Sequence, residues 1–179
     1  MTFTDTHCHL ADPKLADTLP AVLAEAQAVG VARFIVPATS PKDWHSVAHL
    51  ERPSENIHIA LGIHPWFSDD LNEAAFQELE SELIQHPQAW IGEIGLDFYG
   101  REQTQAQRGT QTDIFIRQLI LAQNLNRRVI IHNLKATAAI AAAVKNAGFT
   151  RGGIVHAFSG SVEEARILVK LGFKIGIGS

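Results

Sequence analysis

His7 and His9 flank the chain's single cysteine, Cys8, directly after an extended run of residues 1–6. In a strand, successive side chains alternate faces. The two imidazoles therefore point the same way, ~7 Å apart along the chain, and can converge on one metal ion. Four further residues of the same chemistry are spread along the sequence: His64 in Gly62-Ile-His-Pro65, Glu93 in Gly92-Glu-Ile-Gly-Leu-Asp97, His132 closing Val129-Ile-Ile-His132, and His156 in Val155-His-Ala-Phe-Ser-Gly160. Imidazole plus carboxylate suits Zn, Mn, Fe or Co, with Mg not distinguished from them, and the sequence does not choose. Glu93 lies inside the apolar run Trp90–Ile94, where a bare carboxylate is costly to bury. It is the natural bridge between two divalent ions. A pair held ~3.5–4 Å apart activates a water, clamps a phosphoryl oxygen and stabilises the leaving oxygen.

Neighbouring residues have supporting readings. Alternation turns Cys8 to the opposite face from His7 and His9, so a structural role is expected for it. Asp5, on the same face as His7, either orients that ligand or simply ends the strand. Gly92 and Gly95 permit close backbone approach beside Glu93.

The elements that must carry these residues alternate regularly. Apolar runs rich in Ile, Val and Phe predict strands at residues 2–7, 32–37, 57–63, 89–94, 128–132, 153–157 and 173–177. Amphipathic stretches predict helices at 14–29, 41–51, 72–85, 105–124, 135–146 and 162–171. Gly30, Gly148 and Gly172 follow helical stretches as C-terminal caps do, and Ser161-Val-Glu-Glu164 resembles a capping box. Seven strands alternating with six helices imply an α/β fold with a parallel sheet, and the repeat length suits a (β/α) TIM-type barrel. In such barrels functional residues stand at the C-terminal ends of strands. His7 and His9, His64, Glu93, His132 and His156 fall at the ends of five different strands.

The chain has 179 residues, 46% hydrophobic and 19% charged, with no linker or low-complexity tract, so residues 1–179 read as one domain. Net charge −4 lacks the basic footprint of most nucleic-acid binders, although bound divalent ions supply positive charge locally. One cysteine excludes an internal disulfide. Without a signal peptide or an 18-residue apolar run, a cytoplasmic protein with no membrane partner is expected; the oligomeric state stays open.

Together Asp5-Thr-His-Cys-His9, Gly62-Ile-His-Pro65, Gly92-Glu-Ile-Gly-Leu-Asp97, Val129-Ile-Ile-His132 and Val155-His-Ala-Phe-Ser-Gly160 resemble the TatD family of metal-dependent deoxyribonucleases, in order and along nearly the whole chain. The resemblance implies a TIM barrel, a two-metal centre and hydrolysis of phosphodiester bonds in DNA. It also implies that His7, His9 and Glu93 hold one metal, that Glu93, His132 and His156 hold the other, and that His64 lies by the substrate phosphate. Glu93 and His64 are thus the expected catalytic residues.

Two departures from the family pattern stand out. The strand-five histidine is usually followed by Ser-Arg; here Asn133-Leu134-Lys135 follows His132, so Lys135 either stands in for the arginine as a substrate-binding cation or is a solvated residue at a helix start. Lysine lacks the planar fork of arginine. Second, the sequence stops after the seventh strand, whereas the family carries a last acidic ligand on an eighth. The barrel is therefore expected to be incomplete, either as part of a longer protein, as a truncated chain that dimerises, or as an inactive remnant. An amidohydrolase-type activity on another small substrate is the alternative within the hydrolases.

Overall fold

A computed structural model describes residues 1–51, 56–99 and 102–177. The strands are β1 (Phe3–Asp5), β2 (Val31–Pro37), β3 (Ile57–Leu61), β4 (Trp90–Asp97), β5 (Val129–Leu134), β6 (Gly153–Val155) and β7 (Phe173–Ile175). The helices are α1 (Leu19–Ala28), α2 (Pro41–His49), α3 (Glu73–Gln85), α4 (Gln105–Asn124), α5 (Thr137–Asn146) and α6 (Val162–Lys170), with 3-10 turns at Pro13–Leu15 and Pro65–Asp70. The strands form one parallel sheet in the order β1 to β7, each beside its neighbour in the chain. No helix among the described residues is long and apolar enough to cross a membrane.

The period-2 alternation of the strands builds two apolar layers. Val36, Ile59, Leu61, Ile91, Val129 and Ile131 belong to the large core shared with the helices. Ile35, Ala60, Ile130 and Ile154 form a second, small cluster with Trp90 packed against it. These four come from β2, β3, β5 and β6, which are not all neighbours in the sheet. Their mutual packing means that the sheet curls into a half-barrel around them. The expected seven-stranded, incomplete TIM-type barrel is therefore the observed architecture.

Boundaries differ where local chemistry intervenes. The helix expected over 14–29 is divided. Asp12 caps the 3-10 turn by accepting from the Lys14 N–H (2.9 Å), and α1 starts afresh at Leu19 with Pro20 in its first turn, where a missing N–H costs nothing. The helix expected from Lys135 starts at Thr137, because Lys135 has φ +54°, outside the helical region. Strand β6 stops at Val155, two residues before Ala157 with φ +43°. The expected caps are present: Gly30, Gly148 and Gly172 have positive φ, and Ser161 and Glu164 form the capping box of α6. The last two residues of the expected tail, Gly178 and Ser179, lie outside the described residues.

β4 is longer than expected at its C-terminal end and packs closely on β5. Their register shifts between Ile91↔Val129 and Ile94↔Ile131, so three steps on β4 oppose two on β5 and Gly92 and Glu93 bulge from the ladder. The Glu93 N–H instead donates to the Ala38 carbonyl at 2.8 Å, at the end of β2. That bond reaches past β3 and carries Glu93 into the lumen. A Cβ on Gly92 would stand 2.8 Å from the Ile130 Cβ, and one on Gly95 (φ +136°) would collide with the His132 carbonyl. Glycine at both positions is what lets β4 and β5 meet here.

Candidate metal centre

Each candidate ligand is delivered by a strand end and fixed by its backbone. Beyond β1, the His7 N–H donates to Asp5 Oδ1 (3.0 Å), and the Cys8 N–H donates to the Ile35 carbonyl (3.2 Å). The chain thus stays beside β2 although the regular strand, expected to reach His7, ends at Asp5. Asp5 orients the His7 main chain. Cys8 turns its sulfur to the Ile35 carbonyl (3.7 Å) and packs against the core, and burial, with Asp5 nearby, pushes its thiol up to about 12. It is a protonated structural residue, as alternation predicts.

His64 follows β3. Its position is fixed from α4, where the fully buried Gln118 clasps Ile63 by accepting from its N–H (2.8 Å) and donating to its carbonyl (3.1 Å). His64 Nδ1 accepts from the Trp66 N–H at 3.1 Å, so in the neutral ring the proton is on Nε2. His132 lies within β5 and His156 one residue past β6, where its N–H donates to the Ile131 carbonyl (3.1 Å).

These side chains meet at Glu93, which is 3% exposed. Its Oε2 is 3.3 Å from His7 Nε2, while its Oε1 is 2.5 Å from His156 Nε2, 2.9 Å from His132 Nδ1 and 3.5 Å from His64 Nε2. His7 Nε2 and His9 Nε2 face each other at 3.2 Å, and His156 Nε2 and His132 Nδ1 at 3.3 Å. His7 stacks on His156 with 3.9 Å between ring centroids, so the ends of β1 and β6 touch across the lumen. Asp97, 2% exposed, places Oδ2 3.5 Å from His132 Nε2 and so faces the ring nitrogen directed away from Glu93. A carboxylate in that position fixes the tautomer and orientation of a metal-binding imidazole.

The electrostatics suit ligation. Burial, reinforced by the neighbouring imidazoles and opposed by Glu93, lowers the His7 pKa to about 4, and burial likewise lowers that of His64. Both rings are neutral near pH 7, with lone pairs available. Burial disfavours the Glu93 carboxylate, but hydrogen bonds from His132, His156 and His64 outweigh it and hold the group well below the usual carboxylate range.

The residues fit divalent ions. Ligand distances of ~2.1 Å in a tetrahedral site separate donor atoms by ~3.4 Å. The His7–His9, His7–Glu93 and His132–His156 separations of 3.2, 3.3 and 3.3 Å match this spacing. His7, His9 and Glu93 offer ligand atoms within 4.8 Å of one another, as do His64, Glu93 and His132.

The first of these groups is the expected one. In the second, His64 stands where the sequence led us to expect His156, while His156 makes the shorter contact with Glu93. Lys135 is exposed at the end of β5 and is not among the converging donors; its charge instead acts on Glu164 at the start of α6. Sequence reasoning missed the supporting shell of Asp97, Trp66, Gln111 and Gln118. Gln111 and Gln118 had a usable signal, since they lie seven residues apart on the face of α4 that otherwise buries Ile114, Phe115, Leu119 and Ala122.

The family model of the TatD-related DNases matches residues 4–179. An uncharacterized metal-dependent hydrolase of Escherichia coli K12, YjjV, is 35% identical over 178 residues, covering 98% of this chain and 68% of its own. The crystal structure of YjjV superimposes with a TM-score of 0.89 at 34% identity, over 97% of this chain and 66% of that one. A protein of Edwardsiella piscicida named as a 3'-5' ssDNA/RNA exonuclease TatD is 29% identical, over 97% of this chain and 66% of its own. The chain thus spans about two thirds of the length of the relatives it matches. With its motifs, curled sheet and Glu93-centred cluster of histidines, the chain belongs to the TatD-related DNase family of metal-dependent hydrolases.

Proposed function

We propose that this chain hydrolyses phosphodiester bonds in DNA, with two divalent cations bridged by Glu93. One would be held with His7 and His9, the other with His132 and His156. The observation that carries the reading is the division of labour at the carboxylate, whose Oε2 faces His7 while Oε1 faces His132 and His156. A buried carboxylate with a separate imidazole set on each oxygen is built to bridge. The Edwardsiella relative's name supports a nucleic-acid substrate.

Ions in such a site supply a water ionised near neutral pH and positive charge opposite the developing charge on phosphate. The chain's own residues do the rest. His64, neutral and protonated on Nε2, directs that N–H to Glu93 at 3.5 Å and would turn it to a substrate phosphate when the carboxylate is engaged by the ions. The Asp97 carboxylate faces His132 Nε2 at 3.5 Å. Lys135, exposed just past β5, would have to turn from Glu164 to meet a phosphate there. The net charge of −4 leaves attraction of the strand to the bound ions rather than to a basic surface.

The test is cleavage of a labelled deoxyoligonucleotide with Mn, Mg or Zn, beside a His132→Ala/His156→Ala double variant. The wild type is expected to cleave, and the variant to lose at least about two orders of magnitude, from removal of two ligands of one ion. Equal activity in the two proteins would refute the assigned site.

A further inference from the structure

The lower lumen of the half-barrel, towards the N-terminal ends of the strands, is lined by cations. Ile35, Ala60, Ile130 and Ile154 form the small apolar cluster inside the curl. Period-2 alternation puts the residue two places before each of them on the same face, nearer the start of the strand. Those residues are Arg33, His58, Arg128 and Gly152. Lys174 on β7 pairs with Ile154 and so faces inward as well. In a closed barrel such layers are filled mainly by branched apolar side chains. Here the layer surrounds a cavity of about 570 Å³, walled by Arg33, His58, Arg128, Arg151 and Lys174 over Trp90, Ile35 and Ile154.

This charge is concentrated and uncompensated. Among the described residues no Asp or Glu lines the cavity, although the chain has 19 acidic residues against 15 basic ones. The arginine ion pairs lie elsewhere, Arg117 with Glu73 and Arg166 with Glu163. Arg33, Arg128, Arg151 and Lys174 therefore repel one another around the cavity with no carboxylate between them. Arg128 is also held in place. Its guanidinium stands over the Trp90 ring, 5.5 Å from the centroid, a contact that positions the side chain without neutralising it.

We propose that this cavity binds an organic polyphosphate of the nucleoside triphosphate class. Three arginines and a lysine meet the charge of a triphosphate, and the planar guanidinium fork matches phosphate oxygens. The apolar floor of Ile35, Ile154 and Trp90 takes the organic part. The volume falls in the range of small-molecule pockets. A concave cavity favours such a ligand over a duplex, whose phosphates line a convex surface. The proposal is independent of the phosphodiesterase reading, because Arg33, Trp90 and Arg128 stand at the opposite end of the strands from the Glu93 cluster.

The test is calorimetric titration of the full chain with adenosine triphosphate, inorganic tripolyphosphate and a DNA duplex. The wild type is compared with an Arg33→Ala/Arg128→Ala double variant and with Glu93→Gln, each checked for folding by circular dichroism. Adenosine triphosphate is expected to bind the wild type more tightly than tripolyphosphate does. The double variant is expected to lose at least about tenfold in affinity for it, from removal of two charged hydrogen-bond donors, while Glu93→Gln keeps it. Absence of binding to the wild type, or equal affinity in the double variant, overturns the site. Loss in Glu93→Gln with retention in the double variant places the ligand at the metal cluster and overturns it too. Equal affinity for tripolyphosphate and adenosine triphosphate overturns the organic ligand. Tighter binding of the duplex, lost in the double variant, overturns the small ligand in favour of a nucleic-acid backbone.

Discussion

Replacing Glu93 by Gln keeps the side chain's shape and removes its charge from a position that is 3% exposed. Because its two oxygens face different imidazole sets, the change is expected to strike both proposed metal positions at once. A four-ligand zinc site is worth roughly 10–16 kcal/mol, about 3 kcal/mol per ligand. Each ion is therefore expected to bind ~10²-fold more weakly in Glu93→Gln. His9→Ala provides the contrast. His9 Nε2 lies 3.2 Å from His7 Nε2, and the two rings meet edge to face, so a similar loss is expected for one ion only. Metal content measured by mass spectrometry after equilibration with a competing chelator of graded strength reads both outcomes. Two ions in the wild type, one in His9→Ala at a chelator strength that spares the other, and none in Glu93→Gln is the expected series. Far-UV circular dichroism confirms that each variant is folded. Wild-type affinity for both ions in Glu93→Gln refutes the bridge. The same result in the two variants refutes the assignment of His9 to one side.

Two further outcomes follow from other parts of the structure. Gly95→Ala forces a Cβ onto the His132 carbonyl at a residue with φ +136°, whereas a Cβ on Gly109, in α4, meets nothing within 4 Å. The first is expected to cost at least about 3 kcal/mol, a fall in Tm on the order of 10 °C; the second is expected to gain up to ~1 kcal/mol. Thermal melts check both, and a tolerated Gly95→Ala would refute the close β4–β5 approach. In metal-free protein, a His7 pKa lowered from 6.5 to about 4 means that the unfolded chain binds more protons between those values. Stability should therefore rise with pH from about 4 to 6.5, with this contribution complete above 6.5. The depressed Glu93 group acts in the same direction, its contribution being lost as acid protonates it. Denaturant melts between pH 4.5 and 7.5 should show the increase; flat stability over that range would mean that His7 is not buried as described.

Much of this site is legible in the sequence because barrel strands obey two simple rules. Period-2 alternation sends His7 and His9 one way and Cys8 the other, and functional side chains gather where strands end. Those rules identify His7, His9, His64, Glu93, His132 and His156 without any knowledge of their distances. They do not say which histidines share an oxygen of Glu93. That depends on the β4 bulge, which shifts the register between Ile91 and Ile94 and carries Glu93 into the lumen. A bulge has no hydrophobic signature of its own; Gly92 and Gly95 hint at one, but glycine in a strand is equally a mark of close packing. Helix starts failed for a similar reason: the positive φ of Lys135 is dictated by the turn out of β5, not by its helix propensity.

The supporting shell was hidden for a different reason. Gln118 and Asp97 look like ordinary polar residues until their partners are known, because each is bonded to a main-chain or side-chain group distant in sequence. Yet burying them is costly unless those partners exist. A glutamine on the apolar face of a helix, such as Gln111 or Gln118, is therefore a claim about the strand end it covers. Here the claim is specific: Gln118 holds Ile63 beside His64, and Gln111 holds Asp97, which in turn holds Trp66 and faces His132. Through two amides, helix α4 sets the backbone beside His64 and the place of Asp97, and through Asp97 that of the Trp66 ring.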